Sequence, residues 1–218
     1  MDGGRRNLRR TAALGGTIVV AVGLIVIGLG IPGVPKDDQN APEGDTPTGT
    51  PEALASLAWL AGMGDLAGMR ERIEGGADVN APASADEPAL AGLTPLMAAA
   101  RNGAREAVVL LLSTGADPNA AGESDRTALM VAAEAGHAQI VKDLLEAGAK
   151  PNAATTSGRT ALMMGAAGKE PDVVILLLSA GADPSVKDAA GRRAIDLASG
   201  RSDSSGLAIA AVLREADG

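Results

Sequence analysis

The sequence has no cysteine, no phenylalanine and no tyrosine, one tryptophan and one histidine. The missing cysteines remove disulfides, thiolate metal sites and cysteine nucleophiles together. With Trp59 as its sole aromatic side chain, a chain that is 46% apolar must build its core from Ala, Leu, Val, Ile and Met. Side chains of that size favour close helix–helix packing over a thick β-sandwich. Phenylalanine and tyrosine use A/T-rich codons, so their absence suits a GC-rich bacterial genome. His137, alone and without a carboxylate cluster nearby, does not make a metal site. No Ser/His/Asp set, phosphate-cradling glycine loop or HExxH sequence is present. Catalytic residues, a cofactor, a bound metal and a small-molecule substrate are therefore not expected.

Charge is short of one sign in each part of the chain. Arg5, Arg6, Arg9 and Arg10 stand beside a single acid, Asp2, at the N-terminus. Setting these aside from totals of 19 basic and 27 acidic residues leaves 15 against 26 from Lys36 onward, a net of −11. Phosphate attraction dominates non-specific nucleic-acid binding, so an acidic body argues against DNA or RNA as partner.

Thr11 to Pro35 is 25 residues without a charge. About 20 apolar residues in a helix cross a bilayer core. The run predicts a transmembrane or signal-anchor helix over 11–34, behind a basic segment 1–10. Arginines before it and Lys36, Asp37 and Asp38 after it put the N-terminus in the cytoplasm and the rest outside, in a bacterium the periplasm. A cleaved signal peptide shares the basic start and apolar run, and would release a soluble exported protein. Ala13, Thr17 and Ala21 form a small-residue row of the kind that pairs helices in lipid, which would give a self-associating membrane scaffold. The segment 35–51, with Pro35, Pro42, Pro47, Pro51 and several acids, reads as a stiff, solvated linker.

The remainder repeats. Thr94, Thr127 and Thr160 are 33 apart, and Arg193 follows 33 later. Gly115-Ala116-Asp117, Gly148-Ala149-Lys150 and Gly181-Ala182-Asp183 keep the same interval, as do Asn119, Asn152 and Ser185. Each unit opens on Thr-Pro-Leu-Met or Thr-Ala-Leu-Met and continues as an Ala-rich helix. A second helix follows with a Leu/Val stripe: Val108 to Leu112, Ile140 to Leu145, Val173 to Leu178. Gly115, Gly148 or Gly181 ends it. Helices this short cannot bury their faces alone, and stacked neighbours can.

The 33-residue period and the order Thr-Pro-Leu, Ala-Ala, Gly, Val-Val, Leu-Leu, Gly-Ala-Asp-Pro-Asn resemble ankyrin repeats. The resemblance implies an all-α repeat solenoid of helix–turn–helix units with β-hairpin tips over residues 52–217. About five repeats are expected: a degenerate first repeat 52–81, an insert 82–90, repeats from 89, 122 and 155, and a degenerate C-terminal cap 188–217. The insert reads as an enlarged hairpin tip, and Trp59 as packing the first repeat against the second. The family usually has histidine after Thr-Pro-Leu. Here Met97, Met130 and Met163 replace it, a core-filling series. His137 is expected to make a structural hydrogen bond or cap.

The resemblance also implies a non-catalytic module that binds a protein partner on a concave face of tips and first-helix edges. Mapped by position, that face takes in Arg101, Asn102, Glu123, Ser124, Arg126, Glu134, Thr156, Ser157, Arg159 and Arg192. Leu93, Arg126, Arg159 and Arg192 each precede the first residue of a unit, and the three arginines form a basic row suited to bidentate carboxylate contacts.

Overall fold

The computed structural model describes residues 56–84 and 87–216. All of them belong to the compact unit Pro47–Gly218. The basic segment 1–10, the apolar run 11–34, the linker 35–51 and the start of the first repeat lie outside the described residues. Among the described residues, no helix is long and apolar enough to cross a membrane.

Ten α-helices follow one another in five antiparallel-type pairs: α1 Leu57–Met63 with α2 Leu66–Glu74, α3 Pro95–Asn102 with α4 Arg105–Ser113, α5 Ala128–Ala135 with α6 Ala138–Glu146, α7 Ala161–Ala167 with α8 Pro171–Ser179, and α9 Ala194–Ser199 with α10 Ser204–Ala216. First helices pack in the series α1, α3, α5, α7, α9, and second helices in the series α2, α4, α6, α8, α10. No strand occurs among the described residues, which form an all-helical stack of repeats.

Each complete unit starts the same way for a local reason. The Thr94 hydroxyl accepts the Met97 backbone N–H at 3.2 Å, Thr127 that of Met130 at 3.5 Å, and Thr160 that of Met163 at 3.4 Å. These bonds satisfy an N–H that a helix N-terminus leaves unpaired. Alanines then let the first helices approach closely. Ala98, Ala99, Ala100, Ala132, Ala133 and Ala166 are buried. Leu96, Leu129 and Leu162 share the same core with Leu111, Leu144 and Leu177 from the second helices. Met97, Met130 and Met163 are no more than 1% exposed, so flexible thioethers occupy the space that aromatics fill in other cores.

A second set of bonds fixes the spacing between units. The Asn80 side-chain oxygen accepts the Asp117 N–H at 2.8 Å, that of Asn119 the Lys150 N–H at 2.9 Å, and that of Asn152 the Asp183 N–H at 2.8 Å. The same amides of Asn119 and Asn152 donate to the carbonyls of Gly148 and Gly181 at 3.1 and 2.9 Å. Each asparagine therefore clamps the loop of the following repeat. On the second-helix side, Arg105 grips Asp143 through two bonds of 2.7 and 3.0 Å. The His137 ring nitrogen lies 3.3 Å from the Arg101 carbonyl, a bridge from one repeat back to the one before, and the ring makes no cap bond of its own.

Two expectations need correction. Among the described residues the hairpin tips form turns and no strands, with one isolated antiparallel bridge, Ala154 with Thr160. Trp59 does not pack the first repeat. It is 44% exposed, next to Met63 at 67%. On the helical period, positions 59 and 63 share one face, and Leu57, Ala58, Leu60 and Ala61 carry the packing from the opposite one. The insert 82–90 does enlarge the tip: the Ala83 N–H reaches the Leu93 carbonyl at 2.8 Å and closes the longer turn, which also reaches the first repeat. Glu87 accepts the Ser56 hydroxyl at 2.6 Å and the Ser56 N–H at 3.2 Å, and Ala83 and Leu90 are buried with Ala58 and Ala98. The insert thus folds back over the first repeat.

The last repeat inverts its cap. Arg193 stands where the other units have threonine, and Asp196 where they have methionine. The Asp196 carboxylate accepts the Arg193 backbone N–H at 2.8 Å, so the acid now comes from inside the helix. Arg201 donates to the Ala167 carbonyl at 2.7 Å and to that of Gly168, placing a cation at the C-terminal end of α7.

The asparagine clamps give a direct test. Replacing Asn119 or Asn152 by alanine removes two bonds between repeats, and each change should cost about 1–2 kcal/mol of unfolding free energy. Urea unfolding followed by circular dichroism measures this. An unchanged midpoint in both variants would show that helix packing alone sets the register.

Candidate functional site

The site is built by the turns that precede the first helices. Three are closed by the same bond: Gly122 N–H to the Arg126 carbonyl at 2.8 Å, Thr155 N–H to Arg159 at 2.9 Å, and Asp188 N–H to Arg192 at 2.9 Å. Neighbouring turns are then joined in a line, by Glu123 N–H to the Gly92 carbonyl at 3.2 Å, Thr156 N–H to Ser124 at 3.2 Å, and Ala189 N–H to Ser157 at 2.9 Å. Four turns become one continuous ladder. Arg126, Arg159 and Arg192 hold equivalent places on it.

Their side chains differ. Arg126 pairs with Glu134 on α5. Arg192 pairs with Asp188 in its own turn, through bonds of 2.9 Å from Nε and 2.8 Å from a terminal nitrogen. Arg159 has no carboxylate: its backbone N–H reaches the Thr155 hydroxyl at 3.1 Å, and its guanidinium has no acceptor among the described residues. The Nε atoms of Arg126 and Arg159 are buried without a hydrogen-bond partner.

Before this row lies a cleft of about 370 Å³, lined by Ala89, Ala91, Leu93, Arg101, Glu123, Ser124 and Arg126. Leu93, in the place of the tip arginine, helps give it an apolar wall. Arg101 is exposed on α3 and donates to the Ala89 carbonyl at 3.1 Å. The backbone at the rim is strained. Ser124 and Asp125 have φ of 60° and 58°, whereas the position of Asp125 is glycine in the other turns, Gly92, Gly158 and Gly191, with φ of 71°, 75° and 76°. Non-glycine residues in this region are uncommon and cost free energy.

Of the ten residues read from the sequence, Arg101, Glu123, Ser124 and Arg126 meet at the cleft, with Glu134 bound to Arg126. Thr156, Ser157 and Arg159 form the next turn, and Arg192 the one after. Asn102 is engaged elsewhere: its amide donates to the Gly62 carbonyl at 2.9 Å and ties the second repeat to the first. Sequence reasoning missed Asp188, 7% exposed at the base of the last turn, and the strained Asp125. Both were visible as departures within the repeat, Asp188 against Thr155 and Gly122, and Asp125 against three glycines.

Asp188 makes the last turn pH-sensitive. The Arg192 side chain, then the Arg192 and Ala190 backbone N–H groups, hold its carboxyl below the usual carboxylate range against the opposing effect of burial. A carboxyl whose pKa is lower folded than unfolded stabilises fully above the unfolded value, about 3.9, and loses that contribution as pH falls through the folded one. Asp188→Asn should therefore be less stable than the parent at neutral pH, and the difference should shrink as pH drops below about 4. Urea midpoints across that range test it; a difference constant with pH would remove the ion pair from the account.

Among the described residues, no group of three or more His, Asp or Glu is placed to hold a metal ion. No curated relative matches the chain. The family described as ankyrin repeats (3 copies) matches over residues 57–155 and again over 96–188. The two matches together span 57–188, more than half of the 218 residues, and cover the first four helix pairs with the turns between them. This chain belongs to the ankyrin-repeat family.

Proposed function

We propose that this protein is a non-catalytic interaction module that binds another protein along its turn ladder, held to a membrane by residues 11–34 with the repeats on the extracytoplasmic side. The ladder carries the first half of this reading. It offers four consecutive turns, a cleft and a row of guanidinium groups on one continuous edge, and membership of the ankyrin family supports a protein as the partner. The second half is supported by the uncharged stretch from Thr11 to Pro35, the arginines before it and the Pro- and acid-rich linker after it. No aromatic side chain stands among the residues of the ladder, and aromatic anchors dominate tight interfaces. A transient complex, in the micromolar range, follows.

Two measurements test the two halves. A photo-crosslinking residue at Ser124 or Ser157, on the turns, should capture a partner in intact cells. The same residue at Ser113 or Ser179, at the far ends of second helices, should not. Equal capture at all four positions would refute the ladder as the binding edge.

Orientation is read from the chain's lack of cysteine. Ser113→Cys, at an exposed position, introduces the one thiol. A membrane-impermeant maleimide should label it in cells whose inner membrane is intact, and the intact mass of the native protein should include residues 11–34. Labelling that appears only after lysis reverses the orientation, and a mass lacking the segment makes the protein an exported soluble one.

A further inference from the structure

Three arginines occupy one structural position in successive turns, and the chain answers two of them with its own carboxylates. Arg126 has Glu134, seven residues after Thr127, and Arg192 has Asp188, four residues before it. In the turn between, the corresponding positions are Ala167 and Thr155. Neither can accept two bonds from a guanidinium. The Thr155 hydroxyl takes the Arg159 backbone N–H at 3.1 Å, as an Asp188 oxygen takes that of Arg192 at 2.9 Å. The second Asp188 oxygen then accepts the Arg192 Nε at 2.9 Å. Thr155 has no second oxygen, and its hydroxyl also lies 3.0 Å from that of Ser157. Arg159 Nε is left buried and unpartnered, while the residue as a whole stays partly exposed.

We propose that Arg159 receives a carboxylate of the partner, so that the segment recognised by the ladder is acidic. This rests on the interaction reading above and narrows it to a chemical class. The two sister turns show what completes the site, a carboxylate oxygen lying against the guanidinium: a Glu134 oxygen on a terminal nitrogen of Arg126, and one Asp188 oxygen on both Nε and a terminal nitrogen of Arg192. One edge of the Arg159 guanidinium is already out of water, so less solvation is lost when an anion docks on the rest. Charge-assisted, bidentate pairs are the strong ones, and arginine presents a planar fork for them. The acidic body opposes such a ligand at long range. That field decays over about 8 Å at physiological salt, whereas the docked pair is in contact, so the local term prevails.

The probe is a short peptide of alternating glutamate and glycine, with glutamine and lysine versions as controls and a single-stranded oligonucleotide as a competing polyanion. Each is titrated into the full-length chain in neutral detergent micelles, and the arginine side-chain Nε–Hε signals are followed by NMR. The glutamate peptide should shift the Arg159 signal saturably, and the glutamine and lysine versions should not. Arg159→Gln should weaken binding about tenfold, the loss of one charge-assisted contact. Arg126→Gln and Arg192→Gln, whose arginines already hold carboxylates, should weaken it much less. Arg159→Gln should also melt like the parent, because Arg159 holds no side-chain partner that the change would remove.

The proposal is overturned if the glutamate peptide leaves the Arg159 signal unmoved at about 5 mM, if Arg159→Gln binds it unchanged, or if the oligonucleotide binds more tightly than the peptide. Capture at Ser124 and Ser157 together with no peptide effect would sink this inference alone. Loss of capture there would sink the broader reading.

Discussion

Contact between the alanine faces of successive first helices governs the rest of the molecule. A helix of seven to nine residues is too short to hold its shape in water, so each pair depends on its neighbours. Alanine contributes little area, but it sets a short distance between backbones. Leu96, Leu129, Leu162 and the three buried methionines then supply the apolar area, each worth about 1.5–3 kcal/mol on burial. That distance also brings each turn within hydrogen-bond reach of the next. A bulkier helix face would spread the turns, and the bonds from Thr156 to Ser124 and from Ala189 to Ser157 would break. Turn ladder and core are thus one construction, with the core fixing the pitch of the ladder.

The two ends solve a different problem, because a terminal repeat has no neighbour on one side. At the N-terminal end, the insert folds back so that Glu87 meets Ser56 and Leu90 covers Ala58 and Ala98, turning a sequence that breaks the period into a lid on the first repeat. At the other end, Arg193 and Asp196 replace threonine and methionine. The Asp196 carboxylate both caps the helix and stays exposed. Polar substitution at the end of a stack is what a one-dimensional array requires.

What the sequence reveals follows from the same geometry. Period, helix pairs, the burial of Met97, Met130 and Met163, and the arginine row are all translational features, and translation is readable from spacing. The features that escape are those in which one side chain answers another across repeats. Asn119 and Asn152 are conspicuous by interval, yet only the coordinates reveal that they clamp the loop of the next unit. Trp59 was misread because a large apolar residue suggests core, while its phase relative to Leu57 and Leu60 puts it on the outer face. The 39-residue spacing from Ala77 to Ala116 says how much chain the enlarged tip gains, and only the coordinates show it reaching Ser56 and Ala58.

A repeat stack also supplies its own controls. The turns before Arg159 and Arg192 are closed by equivalent backbone bonds, so the difference between these two arginines is one of side chain. Asp188 demonstrates that this turn accommodates a carboxylate four residues before the arginine, with both oxygens used. The same residue at position 155 would occupy the same turn and fold the Arg159 guanidinium onto its own loop. Stability alone would favour that arrangement, since it satisfies a buried Nε that now has no partner. Threonine at 155 instead keeps the backbone bond and leaves the guanidinium unclaimed. The strained Asp125, beside the cleft, follows the same logic: glycine stands at its position in every other turn and would relieve the backbone. Under the reading proposed above, these departures give up stability on the edge that a partner would occupy.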